Sequence, residues 1–344
     1  MMPMQKRSIH SLVIAGVIIL ILLLIYLKQP KPEEPFVQPP LENIGEIIPV
    51  QEPVQQYIYV PDTFNQRIQI FDKEGNFTAL FGSYGHGPGQ LRMPADVINA
   101  ENKIYVLDKG NHRIQVFDQN YTPLYVFGES ILKFPLGFDI YEDTIYVANT
   151  YKSRMDLFSL EGTPKSSFGK RGKNPGEFRY LSDVAVDEGF IYVLDTDNNR
   201  IQKFTHDGTY VTQWGMYSRS PGGLRFPLGI EIYNGILYIA DTQNSQIKMY
   251  DTNGTFIGNF GGFGSGEEKF RFESRIWEVD GMLYIADTKN HRIKAYYPNG
   301  TLSSIFGEFG RGIGELRAPG VMRWFGRELV NRTTSTLNQT NSSS

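Results

Sequence analysis

Four acidic residues recur along the chain at roughly even intervals, Asp96, Asp139, Asp183 and Glu231. Carboxylate oxygens are ligands for a hard cation, so four of them converging on one point would hold calcium, and a bound cation can polarise an ester or lactone carbonyl. Cations recur more strictly. Arg92, Lys133, Arg179, Arg225, Arg271 and Arg317 follow one another at spacings of 41, 46, 46, 46 and 46 residues, and side chains repeated so regularly would make a seat for an anion if the chain closed into a ring. Other chemistries are excluded by composition. The chain has no cysteine, which removes thiolate nucleophiles, disulfides and cysteine-ligated zinc. It also contains neither a G-x-S-x-G nucleophile elbow nor a P-loop.

The elements that must position these residues are short strands. The triplets Ile58-Tyr59-Val60, Ile104-Tyr105-Val106, Ile145-Tyr146-Val147, Ile191-Tyr192-Val193, Leu237-Tyr238-Ile239 and Leu283-Tyr284-Ile285 open six copies of one pattern. A period near 46 residues marks a repeat architecture, and β-branched and aromatic runs of about five residues choose strands over a helical solenoid. Each triplet is followed by an Asp-centred turn and a second strand such as Arg113-Ile114-Gln115-Val116-Phe117. Then come a hairpin turn and an aromatic-Gly stop. The hairpins read Glu74-Gly75, Glu161-Gly162, Asp207-Gly208, Asn253-Gly254 and Asn299-Gly300, with glycine for positive φ; the second copy has Gln119-Asn120-Tyr121, where Asn120 is expected to take that conformation. A leading strand precedes each later triplet, as in Met93-Pro94-Ala95-Asp96-Val97-Ile98, which makes four strands per copy and six blades. Before Tyr57 the leading strand is poor, whereas a spare good one, Ala318 to Trp324, follows the sixth copy. The C-terminal strand is therefore expected to complete the first blade and close the ring.

The motifs Y-V-x-D-T-x-N-x-R-I-Q-x-F-D-x-x-G and F-G-x-x-G-x-G-x-G-x-[LF]-R-x-P resemble the NHL-repeat family over Tyr57 to Trp324. The resemblance implies an all-β, six-bladed β-propeller, an architecture that hosts enzymes, receptors and scaffolds alike. Amidating lyases of this fold hold zinc through histidines on inner strands. His10, His86, His112, His206 and His291 all fall elsewhere, so that activity is not expected.

Within such a ring the leading strands line the channel. Two and four residues after the proline position stand Asp96 and Ile98, Gly137 and Asp139, Asp183 and Ala185, Gly229 and Glu231, Arg275 and Trp277, Val321 and Arg323. The acids either gather a calcium ion, as in propeller esterases and lactonases, or are neutralised by Arg275 and Arg323. The turn pairs Asp62 with Arg67, Asp108 with Arg113, Asp195 with Arg200 and Asp287 with Arg292 read as scaffold, since the same chemistry in several blades describes the fold; two copies have drifted, to Asn149 with Arg154 and Asp241 with Gln246. The six cations at the rim, joined by Tyr84, His86 and Tyr217 from glycine-rich loops, form the candidate ligand-binding surface. Their structural alternative is pairing with Glu177, Glu267, Glu268 and Glu315.

Leu12 to Leu27 carries no charge, and with flanking Ile9 it is just long enough to cross a hydrocarbon core. No small-residue cleavage site follows, so residues 1–28 are expected to be a cytoplasmic stub and an uncleaved membrane anchor. Lys6 and Arg7 before the span place the N-terminus in the cytoplasm and the propeller outside. A proline-rich stalk occupies residues 29–56, and a Ser/Thr/Asn-rich tail residues 325–344. The sequons at Asn331, Asn338 and Asn341 suit glycosylation. So short a stub is expected to hold no cytoplasmic output domain, so that signalling would need a partner. The expected function is that of a membrane-anchored, non-catalytic binding module or scaffold whose loop face takes a protein, a glycan or an anionic polymer. The alternative is a calcium-dependent hydrolase with its site in the channel. A formal net charge of −3 and an external location argue against nucleic acid.

Overall fold

The computed structural model describes residues 57–320. Every sheet within them is an antiparallel meander or a two-residue parallel ladder. The second blade shows the unit in full: Pro94–Ala100, Lys103–Asp108, Arg113–Phe117 and Pro123–Phe127, hydrogen-bonded in chain order. The leading strands of the next four blades are Gly137–Tyr141, Leu181–Val186, Gly229–Tyr233 and Glu273–Val279. The first blade contributes Ile58–Asp62, Arg67–Phe71 and Phe77–Phe81.

The apolar triplets lack hydrophobic alternation because both of their faces are buried. Ile104 and Val106 pack toward the first blade, among Ile68, Ile70 and Val97; Tyr105 and Leu107 point the other way, into a cluster with Phe138 and Val147 of the third. Six such clusters form, one at each junction between neighbouring blades. The junction of the sixth blade with the first joins Trp277, Tyr284 and Ile293 to Ile58, Val60 and Phe71, so the ring is closed and the expected six-bladed, all-β propeller is what the residues build.

The hairpin glycines serve these junctions. Gly75 has φ 87°, and a Cβ there would lie 2.6 Å from the ring of Phe306, the aromatic stop of the sixth blade. Gly162, Gly208, Gly254 and Gly300 stand in the same way against Phe127, Phe168, Trp214 and Phe260. The second blade departs from expectation: Tyr121, not Asn120, takes the left-handed conformation, at φ 64°. Its strain is offset by stacking on Phe81 (centroids 5.1 Å apart, planes 5° apart), so an aromatic ring fills the contact that glycine makes elsewhere.

At the closure, Pro319 bridges Asp62 and the Gly320 amide donates to the Pro61 carbonyl at 3.1 Å. Pro94 and Glu273 stand opposite Asp108 and Asp287 in the same register. Val321 and Arg323, expected in the channel, lie outside the described residues, as do the anchor, the stalk and the tail.

Candidate functional site

Each triplet strand ends in an Asp-centred turn whose buried carboxylate organises one sector of the loop face. In the fourth blade, Asp195 Oδ1 accepts the Arg179 amide at 2.7 Å; Oδ2 accepts from Asn198 at 2.8 Å, Arg200 Nε at 2.8 Å and Gln202 at 3.1 Å. Arg200 reaches on to the carbonyls of Asn174 and Glu177, which ties the glycine-rich loop to the blade. Asp62, Asp108 and Asp287 are buried in equivalent networks with Arg67, Arg113 and Arg292. These pairs are scaffold.

The drifted copies keep their charge by moving it. Where the third blade has Asn149 it also has Asp156 in place of the usual glutamine, and Arg154 pairs with that acid at 2.8 Å. The fifth blade has Gln246 for arginine but Lys248 for glutamine, with Lys248 Nζ 3.3 Å from Asp241. The sixth adds Lys294, 3.4 Å from Asp287, and a buried acid, Glu273, where four other sectors carry proline; burial pushes Glu273 well above the ordinary glutamate range.

One product of these turns is a fixed seat for each candidate rim cation. The amides of Arg92, Lys133, Arg179, Arg225, Arg271 and Arg317 each donate to the turn Asp or Asn at 2.5–2.8 Å. Their carbonyls accept the amides of Gly110, Tyr151, Asp197, Gln243, Lys289 and Phe64 at 2.7–3.2 Å. Both backbone groups are thereby held in every sector, while the side chains emerge on the loop face: Arg92, Lys133 and Arg271 are exposed, and Arg179, Arg225 and Arg317 half-buried.

The neutralising pairs that the sequence allows for these cations do not form among the described residues. Glu177 instead accepts the amides of Lys173 and Asn174 at 3.1 Å and pairs with Lys170, and Glu315 accepts the Gly312 amide at 2.7 Å. Glu267 and Glu268 are exposed without an ion pair to any rim cation. Arg225 donates to the Tyr217 hydroxyl at 3.1 Å with its guanidinium 5.2 Å from that ring's centre. Tyr84 and His86 are exposed in the loop before Arg92.

The channel is built differently, and its four acids do not converge. Asp96 and Asp183, both fully buried, share the guanidinium of Arg275, through Nη2 and Nη1 respectively. Trp277 Nε1 adds a hydrogen bond to Asp96 at 3.3 Å, and the Ile230 amide one to Asp183 at 2.9 Å. Burial lifts Asp183 to about 7 and raises Asp96 as well, against the pull of Arg275. Burial lowers the Arg275 affinity for its proton, but the charges of Asp183 and then Asp96 outweigh it and hold the guanidinium charged.

Asp139 and Glu231 lie two residues further along their strands, half-buried in a cavity of about 660 Å³ that opens on the hairpin side of the ring. Asp139 accepts the Ile140 and Val186 amides at 2.7 Å, and burial raises it to about 6. Burial, and next the charge of Asp139, push Glu231 well above the ordinary glutamate range. Among the described residues no set of three or more acidic or histidine side chains has the geometry of a metal centre. Of the two alternatives for Asp96, Asp139, Asp183 and Glu231, gathering a cation or being neutralised by arginine, the described residues form the second at Arg275, which stands between Asp96 and Asp183 while Asp139 and Glu231 sit in a separate layer.

One buried residue escaped the sequence reading. Lys109 stands where the other turns have threonine, fully buried, with Nζ 5.3 Å from the Phe134 ring centre and its pKa lowered to about 8 by burial. The signal was its departure from the D-T-x-N pattern, Asp108-Lys109-Gly110-Asn111.

Known proteins share this architecture. Residues 42–130 and 135–214 match a family described as a 6-bladed beta-propeller. Protein brain tumor of Drosophila melanogaster is 34% identical over 119 residues, a match that covers 33% of this chain and 12% of that protein. Among solved structures, a nidogen/laminin complex superposes with a TM-score of 0.59 at 13% identity, covering 77% of this chain and 97% of that one. A streptogramin B lyase superposes with a TM-score of 0.54 at 13% identity, covering 73% and 79%. At such identities the likeness is one of fold alone, and by its own six blades and these matches the described part of the chain is a six-bladed β-propeller.

Proposed function

We propose that this chain is a non-catalytic binding module that engages an anionic ligand, whether protein, glycan or polymer, through the loop face of its propeller. The observation that supports this is the set of six cations whose backbones are clamped identically and whose side chains form no ion pair with a carboxylate among the described residues. The clamped backbone fixes where each charge is rooted, and a cation without an acidic partner has no ion pair to break when a ligand binds. The reading includes the membrane anchor at Leu12 to Leu27, with the propeller outside and the proline-rich stalk as spacer; uncharged length and the flanking Lys6 and Arg7 support it. It also includes completion of the first blade by the C-terminal strand, supported by the register of Pro319 and Gly320.

The test is binding of the full chain to a generic polyanion, dextran sulfate, at low and high salt. Arg92→Glu, Arg179→Glu and Arg271→Glu should each weaken binding by about tenfold, the worth of one charge-assisted hydrogen bond, with no loss of melting temperature. Binding that is absent, or indifferent to these substitutions, removes the proposal. Protease protection of the propeller in sealed vesicles tests the orientation.

A further inference from the structure

We infer that the loop-face site takes an acidic polysaccharide, a polymer of uronate-type sugars; this rests on the binding-module reading above and deepens it. The observation is a second repeated set, interleaved with the cations. Tyr84, Tyr217, Phe263 and Phe309 occupy the same place in four loops, two residues after the glycine that ends each blade, and they are 66, 64, 77 and 66% exposed. In the loop between the third and fourth blades the equivalent is Arg171, also exposed, and one loop is shortened, which accounts for the single spacing of 41. Large rings this exposed do nothing for the core, and a group of them on one face marks a contact surface.

The loops that carry them are rigid. Tyr84 pairs with Leu91 and Phe309 with Leu316 in two-residue parallel ladders, and Tyr217 with Leu224 and Phe263 with Phe270 in single parallel bridges; the second member of each pair is fully buried. In each loop the amide following the ring closes back on that buried residue's carbonyl, at 3.0–3.3 Å. The backbone beneath each ring is therefore fixed. Two have a neighbour on the protein: Arg225 lies against Tyr217, and His291 sits 4.7 Å from Phe309, centre to centre.

A ligand for this surface needs anions and flat apolar faces in alternation, repeated from sector to sector. A uronate chain has both, since the C–H face of a pyranose stacks on an aromatic ring and each sugar carboxylate suits a guanidinium fork. Repetition of the chemistry around the ring favours a ligand whose own chemistry repeats over a folded acidic protein. Glu267, Glu268 and Glu308, exposed on the same loops, would repel a densely charged polyphosphate backbone more than a uronate chain of lower charge density. Charge and ring together define the class.

The experiment is calorimetric titration of the full chain with polygalacturonate, polyuridylate, polyglutamate and neutral dextran. Polygalacturonate should bind most tightly and dextran least. Tyr84→Ala and Phe263→Ala should each weaken polygalacturonate binding by about 3–10-fold with the melting temperature unchanged, and Tyr84→Phe should retain it. Tighter binding of polyuridylate or polyglutamate, or indifference to Tyr84→Ala and Phe263→Ala, overturns the polysaccharide assignment while leaving an anion-binding loop face in place. If no polyanion binds, or dextran binds as well as polygalacturonate, the proposed function falls with it.

Discussion

Replacing Arg275 with methionine should destabilise the propeller, and most strongly above neutral pH. Arg275 is 4% exposed, and its guanidinium contacts two carboxylates that are wholly buried. Removing one partner of a buried ion pair costs about 3–5 kcal/mol, because the charge left behind has neither water nor counter-ion. The pH dependence follows from proton counting. Burial already lifts Asp183 to about 7 and raises Asp96, and only the Arg275 charge restrains them. Without that charge the pair of carboxyls keeps its protons to higher pH, about one proton more than the intact pair holds over this range. A carboxyl whose folded pKa is raised favours the folded state below its unfolded value, and that contribution is lost as pH climbs toward the folded value. Each extra proton held above the unfolded value costs about 1.4 kcal/mol per pH unit, so the variant's deficit should widen by about 4 kcal/mol between pH 5 and pH 8. In melting temperature that is a widening of about 10 °C for a domain of this size. Scanning calorimetry of both proteins at the two pH values measures it, and the triple variant Asp96→Asn/Arg275→Met/Asp183→Asn should recover most of the loss. Parallel pH profiles, or a total loss under about 1 kcal/mol, would refute the reasoning.

Other substitutions probe other parts of the ring. Gly75→Ala should cost at least about 2 kcal/mol in urea denaturation, since the added Cβ meets the Phe306 ring at a φ that alanine disfavours; a neutral result would mean that the junction of the sixth and first blades is loose. Glu231→Gln should leave stability unchanged at pH 5 and raise it at pH 8, because the raised glutamate loses stability for the fold as it ionises; equal effects at both values would contradict this. Lys109→Thr should stabilise by about 1–3 kcal/mol at pH 7. The lysine's depressed pKa makes it costly wherever it must be charged, and the gain should disappear by about pH 10.5, where lysine is neutral in the unfolded chain too.

The turn networks show how much of the site a linear reading can reach. The recurrence of aspartate with arginine five residues on identified a scaffold pair, because the partners are local and the pattern repeats. It did not reveal that Asn149 and Asp156 exchange roles, or that Lys248 brings Asp241 the charge that Gln246 lacks, because those compensations join different strands of a blade and become visible only when the sheets pair. Tyr121 is a similar case. Local propensity favours Asn120 for the left-handed position, yet stacking on Phe81, forty residues earlier in the chain, decides for the tyrosine.

By itself the sequence determined six blades, four strands in each, the loop face with its regularly spaced cations, and the leading strands as channel lining. All of this is encoded by period and turn chemistry, which act over a few residues and are repeated until they cannot be mistaken. Which channel residues meet was decided by the tertiary structure alone. Arg275 lies 179 residues from Asp96, and only the closing of the ring sets its guanidinium between Asp96 and Asp183, leaves Asp139 and Glu231 in a separate layer, and leaves the rim cations without acidic partners among the described residues. Contacts across a closed ring depend on the summed angles of all its wedges, and no short stretch of chain carries that sum.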